Sequence, residues 1–336
     1  MQNEQPVPVG RKRRNQRKMA DVTVPPVNEP KFVEGDTVES FSVKISDFLK
    51  RDIFLINCPM RDSQYGKLIK EIPKKKYHDA LVILLTNGGD PNAAYRMARL
   101  FTSLYYNIEI FVPSYCKSAG TLLAICATKI YMSIFGELGP LDVQLLKEDE
   151  LWERRSGLIG RNALKSLREE AKEVFSDFMF SVKDMTDGLV RLKMATDIAA
   201  SITNGLLGHV YGKLDPLSIG TDYMELHVAL EYGLRLAEVS KNIDEESIHK
   251  LVHDYPAHNF IIDYEEAKSL FNNVERPPGF MYKLITLLGE NALTPIRNAS
   301  SGIVRLLSER PSEDGDHGGT DHDEDGKGET GAQSAG

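Results

Sequence analysis

The chain has 336 residues, 41% of them apolar and 27% charged, which is ordinary for a folded globular protein and excludes a collagen, a coiled-coil rod and wholesale disorder. No apolar run reaches the roughly 18 residues that a bilayer span needs, and Cys58, Cys116 and Cys126 are too irregular for a disulfide framework or a zinc site, so a reducing cytoplasm is the expected compartment. The net charge of −8 is unevenly spread: residues 1–30 carry six Lys/Arg against three Asp/Glu, and residues 309–336 carry nine Asp/Glu against two bases.

Residues 1–30, with Arg11-Lys12-Arg13-Arg14 at their centre, read as a disordered basic tail. No apolar segment follows the charges as a secretory signal would require. No nucleic-acid partner is expected, and contact with an anionic membrane through this tail alone would be weak and salt-sensitive. Residues 309–336 read as a disordered acidic tail, rich in Asp, Gly, Ser and Glu. His317 and His322 among its aspartates offer at most a weak metal contact, and no metal or organic cofactor is expected.

Between the tails, residues 31–308 are expected to form one domain. Asp79–Leu85 is a continuous apolar run, the pattern of a strand buried on both faces. Asn87-Gly88-Gly89-Asp90-Pro91 breaks it, with Asp90 suited to cap a helix and Pro91 to open it. Ala94, Met97, Ala98, Phe101 and Leu104 repeat at helical spacing. Ile108–Val112 is the next strand, Ser118 to about Ala127 the next helix, and Lys129–Ser133 a third strand. That alternation predicts an α/β fold with a parallel sheet.

Residues 146–250 read as a mostly helical insertion. Apolar residues from Leu164 to Leu192 follow steps of three and four, which predicts one amphipathic helix of about 43 Å. A further helix is expected from Asp222 to Val239. Near the end, His258–Asp263 is a short apolar segment, and Asp263-Tyr264-Glu265-Glu266 resembles a capping box before another helix. There is no internal repeat, no G-x-G-x-x-G and no G-x-x-x-x-G-K-[ST], so nothing supports nucleotide binding by this chain.

Two glycines after a buried strand leave backbone N–H groups facing open space, where they can hold an oxyanion. They equally suit a tight turn. Ser118 follows 29 residues after Gly89, where a strand gives way to a helix, in Tyr115-Cys116-Lys117-Ser118-Ala119-Gly120-Thr121. Serine there is either an N-cap or a nucleophile presented at the sheet's carboxyl edge. The pairing of Gly88-Gly89 with Ser118 favours the second, since an oxyanion cradle and a nucleophile belong together.

Gly88-Gly89-Asp90, Lys117-Ser118-Ala119-Gly120 and Gly136-Glu137-Leu138-Gly139-Pro140-Leu141-Asp142 together resemble the Clp-protease/crotonase superfamily. Within it the chain is most similar to the serine dehydrogenase proteinase family, relatives of signal peptide peptidase A, from about Lys50 to Phe271. The resemblance implies a serine peptidase, ATP-independent as a single chain, with a Ser-Asp-His triad. Ser118 would be the nucleophile, Asp142 the acid and His258 the base, with the N–H groups of Gly88, Gly89 and Ala119 around the oxyanion. An unactivated hydroxyl needs a neutral imidazole to take its proton and a carboxylate to hold that imidazole in the right tautomer. His253 opens a His-Asp-Tyr-Pro run that mimics the family's histidine motif in a shifted register. His209 and, for a serine–lysine dyad, Lys213 are the other candidate bases. Lys117 is expected to project away from Ser118.

A peptide or protein is the expected substrate and a homo-oligomer the expected assembly, with the helical insertion as one source of the contact. Two other readings use the same fold: a crotonase-type acyl-thioester enzyme needing no serine, and a non-catalytic scaffold.

Overall fold

The computed structural model describes residues 29–141, 144–146 and 154–309. Chain order runs through α1 (Val38–Leu49), β1 (Arg51–Asn57), α2 (Asp62–Glu71), β2 (Asp79–Leu85), α3 (Pro91–Leu104), β3 (Ile108–Val112), β4 (Tyr115–Cys116), α4 (Ala119–Ala124), β5 (Lys129–Met132) and β6 (Glu137–Leu138). It continues through β7 (Gln144–Leu146), β8 (Arg154–Ser156), α5 (Gly157–Met185), α6 (Leu192–Tyr211), α7 (Pro216–Ser240), α8 (Glu245–His253), α9 (Tyr264–Leu270), β9 (Val274–Glu275), α10 (Gly279–Leu288) and β10 (Ile303–Leu306).

The main sheet has the order β10-β1-β2-β3-β5-β9. All neighbours pair parallel except β10, which runs antiparallel to β1 along one edge. The reason for the unbroken apolar run in β2 is visible in its two faces. Val82 and Leu84 pack towards α3 and α4, while Leu81, Ile83 and Leu85 pack towards α1 and α10. A strand sandwiched in this way has no polar face to alternate with. The fold is therefore α/β, a mostly parallel sheet flanked by helices.

Asp90 caps α3 as expected, accepting from the Asn92 amide at 2.8 Å, with Pro91 in the first turn. Asp263 caps α9 in the same way through the Glu266 amide at 3.0 Å. The single helix expected from Leu164 to Leu192 is instead two. Asp187 and Gly188 take left-handed backbone (φ 47° and 74°), and the Gly188 amide donates back to Lys183 at 2.9 Å. That is the Schellman way of ending a helix. The apolar spacing carries on across the turn because both helices present apolar faces, so periodicity alone misses the break. The expected helix from Asp222 begins earlier, at Pro216, where Asp215 accepts from the Leu217 amide at 3.0 Å and proline suits the first helical position.

Helices α5 and α6 form a hairpin that rests on α7. Helix α7 in turn packs over α3, α4 and α8, with Leu226 and Leu236 in the core on that side of the sheet. Among the described residues no helix is long and apolar enough to cross a membrane. The expected tails lie outside the described residues, save for their inner ends at 29–30 and 309.

Candidate active site

Strand β2 does not stop cleanly at Leu85. Its end carries on beside β4: the Thr86 amide donates to Tyr115 O at 2.8 Å and the Lys117 amide to Thr86 O at 3.0 Å. This pairing sets the Gly88-Gly89 turn directly against Ser118. The Gly88 amide turns back onto Thr86 Oγ1 at 3.0 Å, and the Met60 amide and carbonyl bind Gly88 O and the Asp90 amide at 2.9 and 2.8 Å. Both glycines have positive φ, 93° and 143°. A methyl group on Gly88 would sit 2.8 Å from Ser118 Cβ and 3.2 Å from its Oγ, and one on Gly89 would strike the Met60 carbonyl. Glycine is thus required twice over, by conformation and by space.

Ser118 itself has φ 50° and ψ −116°, outside the regions that a serine occupies at ease. It occupies the N-cap position of α4, yet its side chain makes no capping bond. The ordinary reason for serine at this position is therefore missing. The residue is buried beside a narrow cleft that it shares with Gly89, Pro91, Ala119, Leu122, Leu141 and Ala229. Ala229 comes from α7, which is fixed over α3 by stacked Tyr95 and Tyr232 rings (centroids 3.9 Å apart) and a 2.9 Å bond from the Tyr232 hydroxyl to Asn92 Oδ1. Ala119 is the first residue of α4, so its N–H has no acceptor within the helix. Among the described residues neither that N–H nor the N–H of Gly89 has an acceptor.

His258 is buried. Its segment is attached to the serine's strand pair by Leu138 and Ile262, which exchange two backbone bonds of 2.9 and 3.1 Å, while β6 pairs with β4. The 258–262 segment is thus linked, through β6, to the strand that precedes Ser118. His253, in contrast, ends α8 with its ring 5.9 Å from that of His249. His209 is exposed in the last turn of α6, and Lys213 is exposed on the turn after it. Both belong to the hairpin and do not line the cleft. Asp142 lies outside the described residues; Leu141, just before it, lines the cleft and is anchored by its amide to Leu251 O at 2.9 Å.

Lys117 does turn away from Ser118. Its ammonium reaches Glu137 Oε2 at 2.9 Å, Leu138 O at 3.1 Å and Phe260 O at 3.3 Å. Thr121 closes the arrangement from α4, its hydroxyl donating to Gly139 O at 2.8 Å and accepting from the Gly139 amide at 3.1 Å. Neither role is legible in the sequence, because the partners are brought close only by the fold. Burial pushes the Cys116 thiol well above the usual thiol range, so it stays protonated beside the serine.

The described site is a serine of positive φ at the carboxyl edge of a parallel sheet, beside a glycine turn, with a buried histidine on a segment bridged to β6. No family model matches the chain. An uncharacterized protein of Methanocaldococcus jannaschii is 29% identical over 223 residues, covering 66% of this chain and 62% of that protein. The chain therefore spans less than two thirds of that relative's length. Among solved structures, a mutant of a membrane-bound stomatin-specific protease is similar at a TM-score of 0.40 and 12% identity, over 70% of this chain and 84% of that one.

Proposed function

We propose that the chain is a serine peptidase of the Clp-protease/crotonase kind, with Ser118 as nucleophile and His258 as its base. The observation that carries this reading is the backbone of Ser118. A left-handed, non-capping serine costs about 1–3 kcal/mol, and such strain persists where the surroundings enforce it for a purpose. Glycine would relieve the strain at no steric cost, and would lose only the hydroxyl.

His258 as neutral imidazole takes the Ser118 proton while Oγ bonds to the substrate carbonyl carbon. The carbonyl oxygen, now an anion, is received by the N–H groups of Gly89 and Ala119. Collapse breaks the C–N bond, His258 returns the proton to the departing amine, and an ester on Ser118 remains. Water, deprotonated by the same histidine, then releases the acid and restores the hydroxyl. Asp142 is assigned to orient the imidazole on sequence grounds. Cys116 is no rival nucleophile, because burial keeps it a thiol. The pocket supports a substrate whose side chain nearest the cut is small and apolar, as its lining includes Pro91, Leu122, Leu141 and Ala229.

Labelling with a fluorophosphonate tests the reading. The wild type is expected to label, and Ser118→Ala to lose both label and peptide hydrolysis, by roughly 10³-fold or more, with unchanged circular dichroism. A folded wild type that does not label would move the non-catalytic scaffold reading ahead.

A further inference from the structure

We propose that Lys117 is a positioning residue that seats His258 for Ser118; this rests on the peptidase reading above. The lysine directly precedes the serine in sequence, and its chemistry is directed at the histidine's segment. Its ammonium has three hydrogens and three oxygens around it: Glu137 Oε2 and Leu138 O on β6, and Phe260 O two residues beyond His258. One buried cation thereby joins three pieces of chain: the residue directly after β4, β6, and the 258–262 segment.

The need for such a fastening follows from burial. In that segment only His258 and Ile262 are buried, whereas Asn259, Phe260 and Ile261 are exposed. Apolar packing holds Ile262, and the exchanged pair of bonds with Leu138 fixes its register. Between Ile262 and His258 the chain turns, with the Phe260 amide on Ala257 O at 3.0 Å. The contact of Lys117 with Phe260 O falls inside that turn. It acts there beside the packing of the Phe260 ring on Tyr255, whose centroids are 5.0 Å apart.

Two further features match this role. The side chains of Lys117 and Glu137 are both largely buried, 11% and 14% exposed, where an ion pair is little screened by solvent and has a fixed geometry. At Gly139 a methyl group would stand 2.7 Å from Lys117 Cδ, so the glycine leaves the passage through which the lysine stem reaches β6. All three hydrogens are directed at β6 and the 258–262 segment, which gives Lys117 a structural hold on the base and no direct contact with the reacting atoms.

The test compares wild type with Lys117→Met, which keeps the length of the side chain and removes the cation. Lys117→Met/Glu137→Gln also removes the partner's charge, and Gly139→Ala displaces the stem without altering any charge. The readouts are the rate of fluorophosphonate labelling across pH, kcat and KM on a reporter peptide, and the thermal midpoint.

A misplaced base should slow labelling by about tenfold or more, lower kcat with little change in KM, and change the shape of the pH profile of labelling. Gly139→Ala should show the same pattern in weaker form. Wild-type labelling rate and pH profile in a folded Lys117→Met would overturn the proposal. Should that variant not fold, the charge-balanced double variant and Gly139→Ala decide by the same two outcomes. If instead wild-type protein fails to label at Ser118, the peptidase reading itself falls, a result distinct from a labelled wild type with an indifferent lysine.

Discussion

The sheet and the hairpin treat apolar side chains in opposite ways. In the sheet, Ile53, Phe54, Leu81, Ile83 and Phe111 are wholly enclosed by helices on both sides. On the hairpin, Met185 and Leu189 are 86% and 88% exposed, and Leu192, Met194 and Leu206 also lie open. The first region completes its burial within one chain. The second leaves apolar surface of the kind that usually meets a partner. Burial thus concentrates in the sheet, and the hairpin presents open apolar surface.

The widest separation between the two regions should appear on truncating buried and exposed side chains of similar size. Ile83→Ala at the centre of β2 is expected to cost about 2–5 kcal/mol, read as a lower urea midpoint. Leu189→Ala should stay within about 0.5 kcal/mol. Equal costs would mean that the hairpin tip is covered in solution.

Next in size is Gly89→Ala, which imposes a methyl group against the Met60 carbonyl at φ 143°. Strain of about 1–3 kcal/mol is expected, together with loss of fluorophosphonate labelling that exceeds the loss of stability. A labelled, merely destabilised protein would separate the glycine turn from the chemistry.

At the joint between the regions, Asp244 caps α8 by accepting from the Ser247 amide at 2.8 Å. That backbone bond holds its carboxyl below the usual aspartate range. A folded value lower than the unfolded one stabilises the protein fully above the ordinary range, and the benefit is lost as pH falls through the lowered value. Asp244→Ala should cost about 1 kcal/mol at neutral pH and progressively less in acid. A cost that does not shrink in acid would show that the carboxylate's charge is not what counts.

The smallest energetic effect sharpens the comparison most. Met185→Ser with Leu189→Ser should leave the thermal midpoint nearly unchanged and lower the mass seen by light scattering. A wild type that runs as a clean monomer would remove the hairpin from assembly altogether.

Legibility in the sequence followed the range of the interactions. Strands β2, β3 and β5 and the caps at Asp90 and Asp263 rest on neighbours in sequence, and could be read from spacing and residue type. Strand β9, at two residues, is too short to carry a pattern, and the break at Gly188 sits inside an apolar stripe that continues beyond it. In the site, the turn and the serine were legible as residue types at a spacing. The absence of a capping bond at Ser118 and the fastening by Lys117 were not, since the latter joins residues 20 and 143 positions apart.

The antiparallel edge strand has a consequence for the order of folding. Phe54 of β1 lies opposite Leu306 of β10, so the strand laid down first in the sheet receives its outer neighbour from the far end of the domain. Long-range closures of this kind are slow, because loop entropy is lost before the contact rewards it. During synthesis β1 can find β2 early, but its other edge stays open until residue 306 has left the ribosome. An open edge invites pairing with other chains. The domain is therefore most exposed to misassembly late in translation, when nearly all of its core is already in hand.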